Sequence, residues 1–164
     1  MKTLSRPAPV IAYGAAALFP AVVLAAGALW GGAWVWVGFL WVAGVSQSID
    51  TLAARALPDP PEGAAHPGAD AVSLGLVAAH LVLLALALRA LAGAGPPLSG
   101  AAHAALFLGT GMFMGQVSNA NAHELIHRGS RLLFRAGALV YVTLLFGHHV
   151  SAHRLVHHLS LIHI

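Results

Sequence analysis

From about Pro9 to Leu29 the chain runs without a single charged side chain, and a stretch of that kind has few folded destinations. Crossing the hydrocarbon layer of a bilayer takes roughly 20 apolar residues. A secretory signal has the same charge order, here Lys2 and Arg6 ahead of the run, but its apolar core is only about 7–15 residues long. A retained membrane span is therefore expected.

The pattern recurs along the chain. Trp30-Gly31-Gly32 predicts a tight turn, after which a second apolar run extends to about Ser46 with Trp34, Trp36 and Trp41. Trp30 and Trp34 suit a membrane–water interface, while Trp36 and Trp41 serve equally well as helix-contact residues. Gln47 to Asp70 gathers Pro58, Pro60, Pro61 and Pro67 among charged residues and reads as a loop outside the membrane, with His66 a solvated loop residue. A third span is expected from about Ala71 to Leu88 and a fourth from about Leu98 to Val117, separated by the breaker Gly93-Ala94-Gly95-Pro96-Pro97. His80 and His103 fall inside these spans. The expectation for each is a hydrogen bond to a neighbouring helix, with a place near a metal site as the alternative. Gly111-x-x-x-Gly115 would allow close helix approach.

Hydrophobic residues make up 59% of the chain and charged ones 8%, and the mean hydropathy is +0.80. These values exclude an ordinary soluble domain. The net charge of +3 reflects a scarcity of acids, and no basic block suggests nucleic acid. Cysteine is absent, so the chain itself holds no disulfide, thiolate-bound haem, iron–sulfur cluster on cysteine or cysteine nucleophile. Any redox equivalents must come from a partner. With a cytoplasmic N-terminus, Lys2, Arg6, Arg55, Arg128, Arg131, Arg135 and Arg154 lie inside and only Arg89 outside.

That orientation puts two histidine clusters on the cytoplasmic face. In His123-Glu124-Leu125-Ile126-His127 the i, i+4 spacing stacks both imidazoles on one helix face, close enough to hold one metal ion. His153-Arg154-Leu155-Val156-His157-His158 repeats the pair and adds an adjacent third imidazole. Five such nitrogens fit iron, copper or zinc and suit magnesium or calcium poorly. Leu132 to Gly147 must not cross the membrane once, because that would separate the clusters, and it is too short to cross twice. The prediction is an interfacial or shallow re-entrant helix that folds His153 to His158 back against His123 and His127.

Two chemistries compete for these residues. His-Glu-x-x-His is the zinc-protease signature, with the glutamate as general base, but a catalytic zinc normally takes three protein ligands and this chain offers five or more. The surplus points to two ions, and two ions on neutral imidazoles at the edge of an apolar bundle suit oxygen activation beside a lipid-like substrate. Glu124 is then an outer acceptor for a ligand's second N–H, or a terminal ligand, with Asn119 and Asn121 in similar outer roles. A bis-histidine haem bundle, using His80 and His103, leaves both clusters unexplained.

Asn121-Ala122-His123-Glu124-Leu125-Ile126-His127-Arg128, then Phe146-Gly147-His148-His149 and Ser151-Ala152-His153-Arg154-Leu155-Val156-His157-His158, resemble the first two histidine boxes of membrane alkane 1-monooxygenases. These are relatives of the membrane fatty-acid desaturases and hydroxylases. Asp50 with Pro60-Pro61-Glu62 is similar to that family's loop after the second span. The resemblance implies an all-α integral-membrane enzyme, with about four spans plus the histidine-bearing re-entrant helix, set in a bacterial inner membrane. It implies two non-haem irons, O2 as co-substrate, rubredoxin and rubredoxin reductase as electron donors, and oxidation of an alkane's terminal methyl to a primary alcohol. The alternatives are a desaturase or hydroxylase of the same superfamily and an intramembrane zinc protease. His123, His127, His153, His157 and His158 are the implied iron ligands. His148 is expected to support a ligand from outside the coordination sphere, and His149 to be a less favoured extra ligand.

Two departures stand out. Many family members carry Glu where this chain has Ala152, and the family's third histidine box, beyond further helices, is absent from this sequence. Leu159 to Ile164 back-translate as the end of a common sequencing adapter. The expectation is therefore one truncated membrane domain over residues 1–158, inactive by itself, followed by a non-native tail over 159–164 in which His163 is no ligand.

Overall fold

The computed structural model describes residues 8–46 and 68–152. Every element among them is helical: α1 (Ala8–Trp30), α2 (Ala33–Leu40), α3 (Ala69–Arg89), α4 (Gly100–Phe113), α5 (Asn119–Ile126), α6 (Arg131–Thr143) and α7 (His148–Ser151). Short π-helical turns extend α2 (Trp41–Ser46) and α3 (Ala90–Ala94), and a third (Met114–Ser118) links α4 to α5 with helical backbone angles at both joints. The Pro-rich loop, His66, His153, His157, His158 and residues 159–164 lie outside the described residues.

Two helical segments, Val10–Trp30 and Ala69–Ala94, are long and apolar enough to cross a membrane, and Ala33–Val45 is a shorter apolar helix. Only 39% of the apolar window of the first segment and 28% of the second is buried, so most of each apolar surface faces outward. Val22, Val82 and Leu88 are among the large apolar side chains that do so, and Phe107 on α4 does the same.

The breaks fall where turn chemistry requires them. Gly31 and Gly32 adopt φ of 68° and 60° between α1 and α2, a region that costs a residue with a Cβ about 1–2 kcal/mol. Gly93 (φ 81°) ends the helical run after α3, and the hydroxyl of Ser99 caps α4 by accepting from the Ala102 amide at 3.3 Å. Trp30 and Trp34 are exposed with their rings 6.5 Å apart, Trp36 also points outward, and Trp41 packs on Phe19 with centroids 4.4 Å apart.

The core is stacked in three layers, and the layers give the topology. Ala28, Val35, Ala90, Ala102, Ala105 and Leu106 form the layer at the α1–α2 turn. Ala21, Leu24, Val42, Leu83, Phe113 and Met114 form the middle, and Val77, Ala122, Leu125, Ile126, Leu133, Val140 and Tyr141 the opposite end. Residue numbers rise through the layers on α2 and on α4–α5 and fall on α1 and α3. The helices therefore run alternately up and down. Glycine seats the middle layer: a Cβ on Gly38 of α2 would sit 2.9 Å from Leu24 Cδ2, and one on Gly109 of α4 would sit 3.0 Å from the same atom. Gly111 and Gly115 face open space, so the close approach on α4 uses Gly109 instead.

Helix α6 enters this bundle from the histidine end without traversing it. A Cβ on Gly137 would lie 2.8 Å from both the Ala122 carbonyl oxygen and Leu125 Cβ, so α6 rides directly on α5. Its last residue, Thr143, reaches His80 on α3, and Leu144 packs against both the end layer and the middle layer. The chain then reverses through Leu145, whose φ of 59° is a left-handed conformation unusual for leucine.

Candidate metal centre

Helix α5 presents the first histidine pair. His123 and His127 stand one turn apart with ring centroids at 4.8 Å, as the i, i+4 spacing dictates. His123 is half-buried and His127 exposed, so the pair sits at the rim of the bundle. The π turn over Met114–Ser118 decides which way the pair faces. One extra residue in a helix rotates everything after it by about 100°.

The reversal at Leu145 brings a third imidazole to the pair. His149, on α7, lies with its ring centroid 6.4 Å from that of His123. Its ring is flanked by Tyr141 at 4.9 Å and stacked on Phe146 at 5.0 Å. Partial burial, followed by the neighbouring His123 and His148, pushes the His149 imidazole below the ordinary histidine range. The neutral form is thereby favoured, and only neutral imidazole binds a metal. His148 makes an edge contact with Phe146 at 4.6 Å. Of the two adjacent histidines, it is His149 that faces the first cluster.

The residues expected in outer roles hold other partners. Glu124, exposed, forms an i, i+4 ion pair with Arg128 at 2.9 Å. The Asn121 amide donates to the Ser73 carbonyl oxygen at 3.0 Å and ties α5 to α3. His80 is fully buried and its Nε2 lies 2.9 Å from Thr143 Oγ1, which is the neighbouring-helix hydrogen bond anticipated for it.

Two imidazoles from one helical turn and a third facing them at the edge of an apolar bundle are the donor type that first-row metals take. Among the described residues no three His, Cys, Asp or Glu side chains stand close enough to enclose one ion as they are placed. Tyr141 belongs to no motif of the sequence and Phe146 only opens the stretch Phe146-Gly147-His148-His149; their part in seating His149 emerges from the reversal at Leu145. No protein-family model, curated protein or solved structure matches this chain.

Proposed function

We propose that the protein carries two of the histidine groups of a membrane non-haem di-iron monooxygenase that oxidises the terminal methyl of an alkane to a primary alcohol. The observation that carries this reading is the return of the chain: α6 stops within the bundle, and His149 comes back to face His123. His149 thus lies at the same end of the bundle as the first pair. His123 and His127, with His153, His157 and His158 from the second group, would hold the irons, and Tyr141 and Phe146 hold the His149 ring beside them.

Two bound irons would supply activation of O2, with electrons from rubredoxin and its reductase. The chain's own contribution is binding and exclusion. The outward apolar surfaces of α1, α3 and α4 suit lipid, and the apolar layers under the histidines suit an alkyl chain while excluding water. In this reading α1, α2, α3 and the α4–α5 run are four spans of a bacterial inner membrane, α6 is re-entrant, and the histidines face the cytoplasm. Cysteines placed at Ser130 and Ser151 in this cysteine-free chain should then be labelled from the same side of the membrane. Labelling from opposite sides would rule out a shared centre.

The decisive experiment is metal content and product analysis on the gene product recovered past His158, in membranes, supplied with an alkane, rubredoxin, its reductase and NADH. The expected result is about two irons per chain, the complement of a two-metal site, with 1-alkanol formed. One zinc per chain, cleavage of a membrane peptide and no alcohol would overturn it in favour of a protease. Glu124, turned to Arg128, gives that rival no support as placed.

A further inference from the structure

His80 lies away from both histidine clusters in sequence, and none of the chemistry above uses it. It is fully buried on α3, between the core residues Val77 and Leu83. An imidazole there is expensive: a buried polar atom without a partner keeps its full desolvation cost, and the His80 Nδ1 has no partner. A leucine would pack the same space without that cost, so the direction of the other nitrogen's bond is the feature to explain.

The Thr143 hydroxyl reaches the Leu139 and Val140 carbonyl oxygens at 3.2 and 2.8 Å; with its one proton given to either, it accepts from His80 Nε2–H at 2.9 Å in the tautomer that carries that proton. Thr143 is the final residue of α6, immediately before the reversal that returns His149 to His123. Apolar contacts at Leu144 and Val140 tolerate small slides of one helix on another. A single hydrogen bond between a buried ring and the end of the helix does not. Metal centres need their donors held to within about 0.5 Å.

We propose that His80 is a positioning residue for the metal centre: through Thr143 it fixes how deeply α6 enters the bundle, and so where the chain brings His149 back to His123. The inference rests on the metal-centre reading for its function but on geometry alone for its mechanism, and the two are separable by experiment.

In the full chain in detergent, Co(II) serves as the spectroscopic probe. His80→Leu and Thr143→Val should each weaken Co(II) binding by about 10- to 100-fold, the range typical of groups that orient ligands from outside. Each should also alter the shape of the d–d absorption per bound ion at saturation, which partial unfolding alone would not do. The double variant should be little worse than either single one, and Thr143→Ser should restore the native spectrum. An unchanged affinity and spectrum in His80→Leu and in Thr143→Val would overturn the proposal.

A second arm needs no metal. Cysteines replacing His123 and His149 in this cysteine-free chain should cross-link with a short thiol-reactive reagent, and adding His80→Leu or Thr143→Val should slow the reaction severalfold. Equal cross-linking rates would refute the positioning role. Slowed cross-linking in a protein that binds no Co(II) would sustain the positioning role while defeating the metal-centre reading.

Discussion

The middle layer around Leu24 and the histidine end around Gly137 are both built on a glycine that lets two helices touch, yet they meet different atoms. At Gly38 the nearest neighbours are Cδ2 and Cγ of the Leu24 side chain at 2.9 and 3.1 Å, with the Leu24 backbone nitrogen next at 3.2 Å, while at Gly137 the nearest are the Ala122 carbonyl oxygen and Leu125 Cβ, both at 2.8 Å. The closest contacts at Gly38 belong to a side chain that can shift in part; at Gly137 they are atoms fixed to a helix backbone. Among the described residues the histidine end also carries two inter-helix polar bonds, Asn121 to Ser73 and His80 to Thr143. One end is therefore packed for cohesion and the other for register, and register is what a constellation of ligands demands.

Four substitutions test that contrast, from the largest effect to the smallest. On the proposed di-iron reading, replacing a ligand should be most severe: His123→Ala should abolish iron retention, seen by metal analysis, with little change in helix content by circular dichroism. Retained iron would remove His123 from the centre. Next, Gly137→Ala should separate α5 from α6 and destabilise the protein by about 2–3 kcal/mol, the upper part of the overpacking range, measured by denaturation in detergent. Gly38→Ala should cost less, about 1–2 kcal/mol, because the closest atoms it meets belong to the Leu24 side chain. Equal losses at the two glycines would mean that the ends do not differ in rigidity. Smallest of all, Glu124→Gln breaks an exposed i, i+4 pair and should change stability by about 0.3–0.5 kcal/mol at low salt, fading as ionic strength rises. A larger effect, or loss of metal, would mean that Glu124 serves the centre after all.

Much of the helical frame follows from residue order. The run from Pro9 to Leu29 becomes α1, Gly31-Gly32 becomes the turn with positive φ, and Gly93 to Pro97 becomes the break before α4. Side-chain facing is harder. Gly111 and Gly115 carry the familiar small-residue spacing, yet Gly109 makes the contact, because facing depends on helix rotation and two residues shift it by about 200°. The π turn at Met114–Ser118 re-phases α5, and nothing in Met-Gly-Gln-Val-Ser signals an inserted residue. The sequence distinguishes His149, as an extra ligand, from His148, as a supporting residue, but could not bring His149 to His123. That placement is made by the left-handed Leu145 and by the rings of Tyr141 and Phe146, which are settled only once α6 has docked.

The seat of α6 also carries a temporal consequence. Its walls are Val77 and His80 on α3 and Ala122, Leu125 and Ile126 on α5, so the seat exists only after those two helices have come to lie side by side. During synthesis α3 is complete well before α5, and α6 follows α5 across a short turn. The hairpin that returns His149 to His123 is thus the last of these pieces to find its place, and a metal ion entering earlier would meet the α5 pair alone.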